Sequence, residues 1–233
     1  MLSPALFSLL TAVLVERLWA QDPELRAVLY ADDTLIWVPG GPAEVEPKMR
    51  ELLGLLVEYG EVSGYHLNRA TCAIVPQGWD AEEWPEEVAG LTVAKKARYL
   101  GVWLGQVGEE EQFQGPLAKA LTKASFLARL PLSTTEKVKI LEIWLYPVLG
   151  HVAAVIRPPS KVLSKAGQIM RIALGIKSWT LPTLHMTQPE ERGGYRLQRA
   201  TDYLHWAHSR TYVHFLRGKD SPVMRRLAQE LDA

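Results

Sequence analysis

A change of texture near Gly105 constrains this chain more than any other feature of its sequence. Before it, short runs rich in β-branched and aromatic residues alternate with helical periodicity; beyond it the pattern is almost entirely helical. Charge changes at nearly the same place. Residues 1–114 carry 8 Lys/Arg against 18 Asp/Glu, a net −10, while residues 115–233 carry 18 against 8, a net +10. The overall charge of zero therefore conceals an acidic half joined to a basic one, a split that points to a polyanion-binding region beside an acidic one. We expect an α+β chain in two regions, residues 1–106 mixing strands with helices and residues 107–233 built of helices, long enough to bury a core.

A single cysteine, Cys72, excludes an internal disulfide framework and any zinc site made of several thiolates. That fits a reducing, intracellular compartment, in the nucleus or in a cytoplasmic ribonucleoprotein, rather than secretion. The first fifteen residues are mostly apolar, but they lack a positive n-region, and Glu16-Arg17 stand where a cleavage site belongs. Ser3-Pro4 reads better as a helix start, with Ser as N-cap and Pro at the first helical position. No apolar run reaches the roughly 18 residues of a membrane span, so no membrane partner is expected.

Along the chain, a helix is expected over about 4–20, followed by runs at 27–31 and 34–38 that read as a hairpin around Asp32-Asp33. A helix over 43–61 stops near Gly64, 71–75 is a strand, 77–90 a surface loop, and 98–104 a further strand. The second half offers helices near 112–130, 133–155, 159–174, 194–217 and 221–231, with Pro147 dividing or kinking the second.

Asp32 and Asp33 carry the clearest chemistry. Two-residue hairpin turns favour Asn-Gly or Asp-Gly, because both central residues need positive φ. Adjacent carboxylates suit that poorly and repel each other when ionised. A hard divalent cation such as Mg2+, which takes one or two protein carboxylates, would make sense of the pair. The chemistry that wants such a site is nucleotidyl transfer, in which two cations about 4 Å apart activate the attacking hydroxyl and neutralise the leaving pyrophosphate. An acidic surface turn without a ligand is the bland alternative.

The flanking segments resemble the successive motifs of non-LTR (LINE-type) retrotransposon reverse transcriptases. Leu2-Ser3-Pro4-Ala5-Leu6-Phe7 resembles the end of the motif that opens the palm helix, and Leu29-Tyr30-Ala31-Asp32-Asp33-Thr34 resembles the catalytic hairpin. Ser63-Gly64-Tyr65-His66-Leu67-Asn68 resembles the segment closing the next helix, and Tyr99-Leu100-Gly101-Val102 the strand that grips the primer end. Glu191-Arg192-Gly193-Gly194-Tyr195 resembles the Gly-Gly stretch beyond the thumb. The order and spacing match over nearly the whole chain.

The resemblance implies a partial polymerase palm, an antiparallel hairpin with helices, over 1–106, followed by a helical thumb-like region over 107–233. It implies an RNA-directed DNA polymerase acting on an RNA template and a DNA primer, with Asp32 and Asp33 as catalytic Mg2+ ligands. Tyr30 and Ala31 would border the primer end and nucleotide, and Tyr99, Leu100 and Gly101 would grip the primer. Two departures bear on activity. The third carboxylate of the two-metal site belongs to an earlier palm strand, which would lie before Met1, in an N-terminal part of the same polyprotein; Met1 itself falls inside a motif. Where the family has a lysine after Asn68, thought to protonate pyrophosphate, this chain has Thr71, and the nearby Arg69 does not deprotonate. We therefore expect no polymerisation by the chain alone. A non-catalytic nucleic-acid-binding or interaction module derived from a retroelement is the alternative.

Basic residues of the second half fall at helical spacing: Lys119 and Lys123; Arg157, Lys161 and Lys165; Arg192, Arg196 and Arg199. Such stripes suit a nucleic-acid backbone, held without sequence readout and weakened by salt, or else the solvated outer face of a bundle. His205 and His208, three apart, with His214 further on, are expected to pack or face solvent, and Cys72 to be a buried strand residue. None of the eight tryptophans is singled out.

Overall fold

The computed structural model describes residues 4–78, 81–176 and 186–217. The helix expected over 221–231, the cap at Ser3 and the side chain of His214 lie outside the described residues. The chain divides into two compact units, Met1–Gln106 and Val107–Ala233, each taken here by itself. Helices joined to small separate sheets make this an α+β chain. No described helix is long and apolar enough to cross a membrane.

The first unit runs α1 (Pro4–Gln21), β1 (Arg26–Tyr30), β2 (Asp33–Trp37), α2 (Pro42–Ser63), a 3-10 turn (Arg69–Thr71), β3 (Ala73–Ile74), β4 (Glu87–Val88), β5 (Leu91–Val93), β6 (Lys96–Tyr99) and β7 (Val102–Gly105). Helix α2 is specified locally. Pro42 starts it with φ already set, Glu44 reaches back to the Gly41 N–H at 3.3 Å, and Gly64 at φ +76° ends it. Val45, Met49, Leu52 and Leu53 follow i, i+4, i+7, i+8, so one face of α2 is apolar and packs on Leu14 and Leu18 of α1 in one buried cluster. Burying each such side chain stabilises by about 1.5–3 kcal/mol. The Tyr59 hydroxyl donates to the Leu10 carbonyl at 3.0 Å, tying the two helices together.

Sheets β1–β2 and β3–β5–β4 pack on this helix pair, and β6–β7 is a third short sheet. Two expectations are corrected here. Residues 98–104 are not one strand but two sides of a hairpin, because Leu100 (φ 45°) and Gly101 (φ 84°) reverse the chain between the paired Tyr99 and Val102. Within 77–90, the segment read as loop, β4 pairs with β5 and places Val88 in the core at 1% exposure. There the reversal uses Ala89 (φ 52°) and Gly90 (φ 78°). Both turns have positive φ at two successive residues, the pattern that suits the right-handed twist of a hairpin, with glycine at the second position.

The second unit comprises α3 (Glu109–Gln112), α4 (Gln114–Arg129), α5 (Thr134–Ile140), a π turn (Leu141–Leu145), α6 (Tyr146–Ala153), α7 (Ser160–Leu174), a 3-10 turn (Glu190–Arg192) and α8 (Ala200–Arg217). Helix α4 packs on α6 and α7, and α8 covers α6 and α7. Alanines at 120, 124, 166 and 173, all buried, let the axes approach while Leu127, Leu141, Leu145 and Leu149 fill the space between. A capping box starts α5: the Ser133 hydroxyl accepts from the Glu136 N–H at 3.3 Å, and Glu136 accepts from the Ser133 N–H at 2.8 Å.

Pro147 acts as anticipated but through a specific device. With no N–H, and a ring that crowds the carbonyl four residues back, it is accommodated by the wider π turn immediately before α6. The helix expected over 194–217 begins only at Ala200. Residues 195–197 instead run back along 186–188, with Arg196 N–H to the Gln188 carbonyl at 2.8 Å and Leu197 N–H to the Met186 carbonyl at 3.0 Å. Gly194 is required for that approach, since a Cβ there would sit 2.1 Å from the Gln188 carbonyl oxygen.

Candidate functional site

The β1–β2 hairpin determines where the two aspartates stand. Its register pairs Tyr30 with Asp33, Val28 with Leu35 and Arg26 with Trp37 on one face, and Leu29 with Thr34 and Ala27 with Ile36 on the other. Ala27, Leu29 and Ile36 pack on the helix core. The opposite face is open: Val28 is 54%, Tyr30 64% and Trp37 50% exposed. The turn residues are Ala31 and Asp32, not the two aspartates as the sequence suggested, because Tyr30 and Asp33 already pair. Ala31 carries the positive φ (53°), a conformation that costs an L-residue roughly 1–2 kcal/mol. Asp32 thus sits in the turn and Asp33 opens β2.

The second hairpin brings Tyr99 to this place. Its hydroxyl donates to the Val28 carbonyl of β1 at 3.3 Å. Partial burial, and then the negative charge of Asp33 close by, hold the Tyr99 phenol above its usual range. Tyr30, Asp33, Val28 and Tyr99 therefore share one neighbourhood, with Leu100-Gly101 forming the turn that follows Tyr99. Sequence reasoning had named these segments separately; the contact through the Val28 carbonyl was not legible in it.

The carboxylates of Asp32 and Asp33 are both exposed, and neither has a lysine or arginine partner among the described residues, so their oxygens are available to a hard cation. Among the described residues no group of three or more His, Cys, Asp or Glu side chains could hold a metal. Two carboxylates could supply at most part of the oxygen shell of one hard cation, and the described residues do not complete a two-ion site. Thr71 is turned to its own backbone, its hydroxyl donating to the Asn68 carbonyl at 3.0 Å.

The basic residues are only partly arranged as their spacing suggested. Lys119 and Lys123 lie on α4, and Lys161 and Lys165 on α7, the two most closely packed helices. Neither helix contains an acidic residue. Lys161 is paired with Glu110 at 2.9 Å, and Lys123 donates to the Trp144 carbonyl at 2.9 Å; Lys119 and Lys165 have no partner among the described residues. Arg157 precedes α7, and Arg192, Arg196 and Arg199 all precede α8, so neither set forms the helical stripe expected of it. The reason is the backbone reversal at Gly193-Gly194 and the left-handed Arg196 (φ 52°).

Cys72 is not a buried strand residue: it is half-buried at the end of the 3-10 turn, its thiol 3.3 Å from the Asn68 carbonyl and pushed up by burial. His205 faces solvent, while His208 Nδ1 lies 3.2 Å from the Ala153 carbonyl and ties α8 to α6. Sequence reasoning nominated no tryptophan, yet Trp144 lies against Phe126 on the surface beside Lys123. Lys119, Lys123 and Phe126 at i, i+4, i+7 were the available signal.

No protein-family model matches the chain, and no curated protein matches it.

Proposed function

We propose that this chain is a piece of a non-LTR retrotransposon reverse transcriptase, with residues 1–106 as part of the palm and 107–233 as a thumb-like region. It binds an RNA–DNA hybrid and does not polymerise on its own. The observation that carries this reading is the meeting of Tyr99 with the Asp33 end of the first hairpin. The two segments resemble two separate polymerase motifs, lie far apart in sequence, and meet through the Tyr99 hydroxyl and the Val28 carbonyl. In that arrangement Tyr30 and Tyr99 offer ring surface beside the primer end, and the Leu100-Gly101 turn brings backbone close to it. Asp32 and Asp33 supply oxygens at the point where a phosphate chain would pass. A magnesium ion held there would offset phosphate charge and favour ionisation of the primer hydroxyl. Two carboxylates do not hold the pair of ions that the full reaction uses, and Thr71 is no acid for the leaving pyrophosphate, which is why we expect binding without synthesis.

The alternative, a non-catalytic nucleic-acid-binding module of retroelement origin, draws on the acid-free helices α4 and α7. The two readings share hybrid binding and separate on whether an added palm partner restores chemistry. Purified chain given a primed RNA template, deoxynucleotides and Mg2+ is expected to incorporate nothing; incorporation abolished by Asp32→Ala would overturn the inactive reading. Affinity for a labelled RNA–DNA hybrid should fall steeply as salt rises, because counterions are released from the phosphates. Binding that ignores salt, or no binding, would overturn the thumb assignment.

A further inference from the structure

Phe126 and Trp144 form an exposed aromatic step on the second unit. Phe126 is 57% and Trp144 38% exposed, and their rings meet edge to face with centroids 6.1 Å apart at 68°. The Lys123 ammonium lies over one face of the Trp144 ring, 4.6 Å from its centre, and donates to the Trp144 carbonyl at 2.9 Å, which leaves the other face of the indole and the Phe126 ring for a base. Lys119, Lys123 and Phe126 lie on one face of α4. On the neighbouring π turn Leu141 and Leu145 face the core while Ile143 and Trp144 reach solvent. Large exposed rings beside cations on an acid-free helix are not needed by the core, which α4 fills with Leu117, Ala120, Ala124 and Leu127.

We infer that Phe126 and Trp144 are a stacking site for unpaired nucleotides of a nucleic-acid strand, with Lys119 and Lys123 contacting its phosphates. The inference rests on the nucleic-acid-binding reading above and deepens it. A duplex keeps its base faces stacked inside and can use only the lysines; an unpaired strand presents rings and phosphates together, matching both halves of the patch. An acidic polypeptide would satisfy the lysines and leave the ring surfaces unused. The site reads no particular sequence, because every base has a flat face.

The test compares a blunt RNA–DNA hybrid with the same hybrid carrying a short unpaired overhang, using the full chain. The overhang should tighten binding by about tenfold, within the range of base–aromatic stacking. Phe126→Ala with Trp144→Ala should abolish that advantage, whereas Lys119→Ala with Lys123→Ala should weaken both substrates and keep the advantage of the overhang. Phe126→Tyr with Trp144→Phe retains the rings and should retain the preference, which separates stacking from a loss of folding. A fluorescent base analogue in the overhang should be quenched by the unaltered chain. An equal affinity for the two hybrids, an unquenched analogue, or a preference that survives the double alanine change would overturn the stacking site while leaving hybrid binding intact. Failure of the unaltered chain to bind either hybrid would overturn both.

Discussion

Residues 107–233 gather 23 buried side chains into one cluster, whereas residues 1–106, a region of similar length, gather 10, in each case among the described residues. The larger cluster is interhelical and continuous from Phe113 to Ala207. The smaller one is a helix pair with two short sheets packed on it, one of only two strands, which is marginal by itself in water. The first unit also leaves Val28, Tyr30 and Trp37 on an open face of its hairpin, and the left-handed Ala31, Ala89 and Leu100 are all in it. The paired aspartates and their tyrosine neighbours thus sit on the less well buried unit, and the lysines of α4 and α7 on the better buried one. The second unit has one left-handed residue other than glycine among those described, Arg196, against three in the first.

The sharpest way to break this comparison is to empty each core in turn. Phe113 and Leu18 are both fully buried. Phe113→Ala should cost about 3–5 kcal/mol and Leu18→Ala about 2–5 kcal/mol. Denaturant unfolding should show each change shifting the transition of its own unit alone; a single transition moved equally by both would mean that the units unfold as one. Tyr146→Phe comes next. The buried Tyr146 hydroxyl donates to the Gln198 carbonyl and burial drives its ionisation far upward, so the change should cost the second unit about 1–3 kcal/mol by leaving that carbonyl unpaired.

Smaller still, Ser133→Ala should lower the stability of the second unit by about 1 kcal/mol at neutral pH. Glu136 is held below its ordinary range, mainly by the Ser133 hydroxyl and backbone N–H. A depressed carboxylate stabilises above its unfolded pKa and loses that contribution as pH falls through the folded one. The gap between the thermal melts of the two forms should therefore narrow in acid to what the Glu136 N–H bond to the Ser133 hydroxyl contributes, and a gap unchanged by acid would remove the Glu136 carboxylate as a cause. In the first unit Leu100→Gly should stabilise, by roughly 0.5–1 kcal/mol, since it relieves a left-handed leucine in a hairpin turn. The least change is spectroscopic. Asp33→Asn removes a charge that helps hold Tyr99 up, so tyrosinate absorbance, with Tyr99→Phe as the reference, should show Tyr99 titrating at lower pH; no movement would separate the two side chains.

The sequence by itself determined what depends on neighbours a few residues away. The stop of α2 at Gly64, the helix break at Pro147 and the concentration of base beyond residue 114 are all local, and periodicity and charge report them directly. Hairpins turned by Ala-Gly and Leu-Gly escaped it, because a glycine after a residue that rarely adopts positive φ is a weaker mark than Asn-Gly. The lysine and arginine stripes were half right for the same reason. Spacing places residues on one face only where the chain is helical, and Arg192, Arg196 and Arg199 precede α8, where 195–197 are held instead by hydrogen bonds to 186–188. Which aspartate entered the turn, which tyrosine reached β1, and which aromatics stayed on the surface were settled by strand register and by contacts between distant segments. Those are free-energy differences between whole arrangements of the chain, and no window of sequence contains them.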